Sequence, residues 1–359
     1  MRDLIRSLAA SLASGREVIH CQVVETRGST PQKAGARMLV DPDGGQVGTL
    51  GGGCVEAEVK QKAIRRVGRP GAEIHSFILD HDYAWADGLI CGGRMAILAE
   101  AIQGEDASLY FEALFRRLET GDGFTEALVI DPARAMAAVG SRILYDSLGV
   151  PVARYAPEGD AVPDVGQVHP LSDRPRPGVR DGVAFLPTLP RVRLVIVGAG
   201  HVGQAVADLA ARADFDVWVV DDRHQYANTE RFPLAERLVV GPMDEVLPAL
   251  EITSNTFALI VTRGHGHDQE ALSYLAPTIA PYVGLIGSRR KIRMIFEALR
   301  EQGVPGSTLA RVAAPVGIDI GSESVVEIAV SIVAELIARR NLGPLPQNEP
   351  AVRIEASNA

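Results

Sequence analysis

The stretch Gly198-Ala199-Gly200-His201-Val202-Gly203 constrains this chain more than any other. Its G-x-G-x-x-G spacing carries weight only in context, and here the context is complete. An uninterrupted apolar run at 194–197 precedes it, a helical pattern at 202–213 follows, and a second apolar run at 217–220 ends in Asp221-Asp222. Strand, glycine turn and helix in that order build a corner that receives a phosphate. The first glycine permits the tight turn, the second lets a phosphate reach the backbone, and the third lets helix and strand pack closely. The helix N-terminus adds unpaired N–H groups and positive potential. Gly198, Gly200, His201 and Gly203 are therefore candidate cofactor contacts. Asp221 stands where a carboxylate meets the ribose 2′-hydroxyl of NAD or a similar nucleotide.

Further apolar runs at 257–261 and 282–286 alternate with helical patterns at 243–250, 268–279 and 291–302. Short buried strands separated by helices predict parallel βαβ units. The expected fold class is α/β: a Rossmann-type parallel-sheet domain at 191–342, preceded by a smaller α+β domain at 1–150. A last helix at 324–339 opens on the capping-box pair Ser324 and Glu327. Ligands of open α/β sheets bind at the C-terminal ends of the strands, and two polar turns fall there. In Thr262-Arg263-Gly264-His265-Gly266-His267-Asp268, His265 is expected to face the ligand crevice and Asp268 to cap the next helix. The His265-x-His267 pair lacks a third ligand for a metal. In Gly287-Ser288-Arg289-Arg290-Lys291, a helix start beside two guanidinium groups makes Ser288, Arg289 and Arg290 a candidate anion site.

The first half reads as a helix at 1–14, strands at 18–24, 36–40 and 46–50, and a helix at 55–67. Strands at 73–79 and 94–99, a helix at 108–120, and strands at 124–130 and 141–145 follow. Its most informative segment is Gly48-Thr49-Leu50-Gly51-Gly52-Gly53-Cys54-Val55-Glu56. Three consecutive glycines cost chain entropy and are expected only where the backbone turns through positive φ or approaches another group closely. Cys54 would then sit in the first turn of a helix, where the dipole favours a thiolate able to act as nucleophile, carry a persulfide or ligate a soft metal. Cys91-Gly92-Gly93 repeats the pairing of cysteine with glycine, whereas Cys21 lies among strand residues and reads as a buried hydrophobe. Residues 151–190 hold eight of the chain's 22 prolines and are expected to form a linker or an extended arm with room for a few ordered strands, and 343–359 a flexible tail.

Composition excludes several classes. A formal net charge of −9 does not suit a generic nucleic-acid surface. No apolar run is long enough to span a membrane. Three cysteines without a CxxC fit thiols kept reduced in a cytoplasm.

Several of these segments together resemble the XdhC/CoxI family of xanthine dehydrogenase accessory proteins. In the first half they are Gly28-Ser29-Thr30-Pro31, Gly35-Ala36-Arg37-Met38, Gly51-Gly52-Gly53-Cys54-Val55-Glu56 and Cys91-Gly92-Gly93. In the second half they are the glycine turn, Val220-Asp221-Asp222-Arg223, Gly287-Ser288-Arg289-Arg290-Lys291, Pro315-Val316-Gly317-Ile318-Asp319-Ile320-Gly321 and Glu327-Ile328-Ala329. Gln32-Lys33 and Val325-Val326 depart from the family's usual residues. The resemblance implies a cofactor-maturation chaperone with no catalytic residue of its own. It would bind a molybdopterin-type molybdenum cofactor, hold it while a cysteine desulfurase provides a sulfido ligand, and insert it into an apo-molybdenum hydroxylase such as xanthine dehydrogenase. It further implies that Cys54 is the cysteine at the metal, that Cys91 is a second, and that the protein is a homodimer. Two alternatives come from other classes. One is an NAD(P)-dependent oxidoreductase using His201, His265 or His267 opposite Cys54, although no dehydrogenase signature follows the glycine turn. The other is a binding module gated by a nucleotide.

Overall fold

Three five-stranded sheets organise the computed structural model, which describes residues 1–79, 92–157 and 165–343. The chain divides into two units, the first ending at Pro190 and the second beginning at Arg191.

The first unit holds two antiparallel sheets. One runs in the order β3 (Gln46–Gly48), β2 (Arg37–Val40), β1 (Val18–Arg27), β5 (Arg94–Ile102), β4 (Ala72–Ile78). Side chains alternate across a strand, and β1 is buried on both faces. Ile19, Cys21 and Val23 pack against Val55, Val59 and Ala63 of the helix Gly53–Arg66. On the opposite face Val18 joins Tyr110, Phe111 and Leu114 of the helix Glu105–Thr120. His20 and Gln22 share that second face and are fully buried, so the interior of this unit is partly polar.

The other sheet corrects the expectation of a proline-rich linker. Its order is β8 (Pro151–Tyr155), β7 (Arg142–Asp146), β6 (Phe124–Val129), β10 (Val183–Thr188), β9 (Gly178–Arg180). Three of its five strands therefore come from 151–190. The prolines are tolerated because of where they fall. Pro151 opens an edge strand, and Pro187 lies beyond the end of the β10–β9 pairing at Phe185, where no neighbour needs its N–H.

The second unit is the expected parallel Rossmann sheet. Its order is β13 (Arg237–Val240), β12 (Asp216–Asp221), β11 (Arg193–Val197), β14 (Thr256–Ile260), β15 (Tyr282–Leu285), parallel at every pairing. Leu194 and Ile196 face a core shared with the helices His201–Arg212 and Val325–Leu342. Val195 and Val197 face a second core under the helices His265–Leu275 and Arg289–Glu301. Burial on both faces explains why these strands read as unbroken apolar runs. Ser324 and Glu327 close their capping box. The helix expected at 243–250 spans only Met243–Val246, because Pro248 has no N–H to continue it. With the strands parallel, the turns after β11, β12, β14 and β15 lie along one edge of the sheet.

Candidate functional site

At the end of β11 each glycine of the turn has its own steric reason. A Cβ on Gly203 would stand 2.0 Å from the carbonyl oxygen of Gly198, and one on Gly198 would stand 2.5 Å from that of Val261. Gly198 also takes a φ of +120°. Gly200, by contrast, faces open space, so its backbone can be approached. It is the N-cap of the helix beginning at His201 and supplies no side-chain cap. His201 is exposed.

Asp221, expected at the ribose, is buried and fully occupied. Its Oδ2 accepts from the Ala199 N–H at 2.8 Å and from Arg223 Nη2 at 3.0 Å. Its Oδ1 accepts from Arg223 N at 3.0 Å and Nε at 2.8 Å. Burial pushes this carboxyl up, but the Arg223 and Ala199 hydrogen bonds outweigh it and hold the group below the usual carboxylate range. Asp222 points outward and pairs with Arg263 at 2.9 Å. Arg231 completes the brace, donating to the carbonyl of Ala199 at 3.0 Å and to Gln204 at 2.8 Å. Arg223 and Arg231 both lie against the ring of Tyr226. Sequence reasoning gives none of these three residues a role. Arg223 was legible in principle, since it follows the acidic pair directly.

The turn after β14 differs from expectation in one respect. Asp268 does not cap its helix, whose N-cap is Gly264 without a side-chain cap. It is instead completely buried, accepts from Thr262 N at 3.2 Å and Oγ1 at 2.6 Å, and forms an ion pair with Lys291. That pair ties the turn after β14 to the turn after β15. Ser288 caps the helix Arg289–Glu301 through Lys291 N, while Arg289 and Arg290 are exposed and carry no ion pair among the described residues. His265 is exposed at its helix start, and His267 lies 3.8 Å from Glu270. No cluster of three His, Cys, Asp or Glu side chains suited to a metal occurs among the described residues.

In the first unit the predicted glycine–cysteine turn is sharply formed. Gly51, Gly52 and Gly53 take φ values of +113°, +74° and +67°, and Cys54 follows, partly exposed, in the first turn of its helix. Glu56 closes the turn from within. Its carboxylate accepts from Thr49 Oγ1 at 2.6 Å, Leu50 N at 2.7 Å, Gly52 N at 3.1 Å and Gln46 Nε2 at 2.8 Å. Burial works against ionisation, yet these donors hold Glu56 below the usual carboxylate range.

The structure also joins motifs that are far apart in sequence. A Cβ on Gly51 would meet Pro31 at 2.4 Å, and one on Gly93 would meet the carbonyl of Ser29 at 2.1 Å. Ser29 and Gly92 form a β-bridge. The loop 28–31 is thus gripped between the Cys54 turn and Gly92-Gly93. Cys91, expected as a second cofactor cysteine, lies outside the described residues. Cys21 is buried beneath the sheet, and burial with the Glu100 charge pushes its thiol up to about 12. Gly93 does not use positive φ, so Gly93→Ala tests the close approach alone. We expect it to lower stability by about 1–3 kcal/mol in urea unfolding, and an unchanged midpoint would contradict the packed loop.

Comparison with known proteins follows the same division. A family model described as the XdhC Rossmann domain matches residues 194–336, and one described as the XdhC and CoxI family matches residues 11–77. The chain belongs to the XdhC and CoxI family. The first match contains the glycine turn, Asp221 and both polar turns, and the second contains the loop 28–31 and the Cys54 turn. A Bacillus subtilis (strain 168) protein named as a probable xanthine dehydrogenase subunit is 28% identical over 342 residues, covering 93% of this chain and 96% of its own length. The Escherichia coli (strain K12) molybdenum cofactor insertion chaperone PaoD is 24% identical over 340 residues, 94% of this chain and 88% of its own. The uncharacterised E. coli protein YqeB is 29% identical over 324 residues, but this chain spans only 43% of its length. The crystal structure of a Bacillus halodurans protein named as a xanthine dehydrogenase shares the fold, with a TM-score of 0.76 at 24% identity over 96% of this chain and 98% of that one.

Proposed function

We propose that this member of the XdhC and CoxI family binds the molybdenum cofactor, supports its sulfuration, and delivers it to a molybdenum hydroxylase such as xanthine dehydrogenase. The observation that carries the proposal is the Cys54 turn. A partly exposed thiol stands at a helix start beside Gly52, where a Cβ would meet nothing within 4 Å, and Glu56 fixes the turn from below. The molybdenum is cargo, and a thiolate at an open backbone suits a soft ligand position that must also release it. Gly52, where a Cβ would meet open space, leaves room for the pterin beside that position. The names of two relatives, a molybdenum cofactor insertion chaperone and a probable xanthine dehydrogenase subunit, support the same assignment.

In the second unit, Gly200 leaves backbone N–H groups approachable, and Ser288, Arg289 and Arg290 offer an anion position on the same sheet edge. These groups would hold a phosphate. The proposed partners are the apo-hydroxylase, a cysteine desulfurase that supplies the sulfur, and a second copy of the chain. No described helix is long and apolar enough to cross a membrane, and the proposed setting is the cytoplasm.

The test is maturation of an apo-hydroxylase in cells that lack the native accessory protein. Cys54→Ser, which changes only sulfur to oxygen at a partly exposed site, is expected to reduce hydroxylase activity to the level seen with no accessory protein. Full activity with the variant would remove Cys54 from the mechanism.

A further inference from the structure

We propose that Arg223 is a specificity-determining residue that closes the end of β12 to the ribose of NAD-type dinucleotides, while leaving the glycine turn open to a phosphate. This role belongs to the second unit alone and holds whatever the first unit carries.

In a nucleotide-binding sheet of this order, the carboxylate at the end of the second strand receives ribose hydroxyls. A carboxylate has about four acceptor sites. All four at Asp221 are taken: two by Arg223 side-chain nitrogens, one by Arg223 N and one by Ala199 N. A ribose hydroxyl could enter only by displacing a guanidinium that holds both oxygens. Charge-assisted bidentate contacts of that kind are stronger than the neutral hydroxyl contact replacing them.

Arg223 is itself held in place. Its guanidinium lies 3.9 Å from the centre of the Tyr226 ring, and its Nε stands 3.5 Å from Asp222 Oδ1. The backbone carbonyl of Tyr226 accepts from Arg231, which also grips Ala199 in the glycine turn. The latch is therefore continuous with the turn it guards. Asp222, the other carboxylate of the acidic pair, is engaged by Arg263. Gly200 lies outside this set and keeps an open approach.

The experiment is calorimetric titration of the full-length protein with NADH and with NADPH, for wild type and Arg223→Ala. Removing the guanidinium frees the Asp221 carboxylate, and a hydroxyl bond to a charged group then raises NADH affinity by about tenfold or more over wild type. Gained binding cannot result from misfolding. Should Arg223→Ala fail to fold, Arg223→Lys keeps the charge but cannot cover both carboxylate oxygens, and it is expected to give a smaller gain in the same direction. Equal or weaker NADH binding by the variants would overturn the proposal. So would tighter binding of NADPH than of NADH by wild type, since Arg223 would then be receiving the 2′-phosphate.

Discussion

Arg142→Met is expected to destabilise the first unit by about 3–5 kcal/mol, the cost of leaving a buried carboxylate without its cation. Arg142 on β7 is almost fully buried and forms an ion pair with Glu100 on β5, so the contact joins the two sheets of this unit. Its Nε donates to the Gly140 carbonyl at 3.0 Å, and the rings of Tyr110, Phe111 and Tyr155 surround the guanidinium. A second pair, Arg37 on β2 with Glu126 on β6, crosses the same interface. Glu126 also accepts from Tyr110 Oη at 2.9 Å and Gln22 Nε2 at 3.3 Å. Burial alone would drive Glu100 neutral, but Arg142 and His20 hold it below the usual carboxylate range. Methionine fills the arginine's apolar volume and strands that charge. Adding Glu100→Leu removes the stranded carboxylate, and the double variant is expected to recover part of the loss. Denaturant unfolding checks both. An Arg142→Met midpoint equal to that of wild type would show that the pair contributes nothing.

The same network predicts acid sensitivity. His20 is completely buried, donates from Nδ1 to Glu100 at 2.8 Å, and has no hydrogen-bond partner at Nε2. Burial outweighs the attraction of Glu100 and pushes its pKa down to about 4. The unfolded chain protonates this histidine near 6.5, so between 6.5 and 4 the unfolded state binds more protons. Stability therefore falls as pH drops through that window, by about 2–3 kcal/mol down to pH ~4.5. Glu100, held low, loses its own contribution only at more acid pH. His75, also lowered by burial, acts in the same direction as His20, so the difference between wild type and His20→Gln is the readout. The variant is expected to show a flatter loss between pH 6.5 and 4.5. An identical slope would mean that His20 is already charged in the folded protein.

The second unit was largely legible because its physics is local. Strands such as Arg193–Val197 are buried on both faces and leave a continuous apolar signature, and Gly198 and Gly203 each answer to a contact within a few residues or one strand away, while Gly200 stays open. Asp221 shows where that legibility stops. The motif places the carboxylate correctly, but Arg223, two residues on, decides what it meets. In the first unit, the need for Gly51–Gly53 was readable, whereas the grip of Gly51 on Pro31 and of Gly93 on Ser29 depends on strand pairing distant in sequence. His20, Gln22, Glu100 and Glu126 alternate with apolar residues and would face solvent in a lone sheet. Only the packing of the two sheets against each other buries them, and part of the second sheet comes from 151–190, where short edge strands and prolines carry no strand signal.

The most direct test of the cofactor-carrier assignment is native mass spectrometry, with molybdenum quantification, on full-length protein purified from cells that make molybdopterin. The expected result is a bound mass of a molybdopterin with its molybdenum on the wild-type protein, and its loss from Cys54→Ser. Wild-type protein that carries neither pterin nor molybdenum, or a Cys54→Ser variant that retains both at wild-type levels, would contradict it.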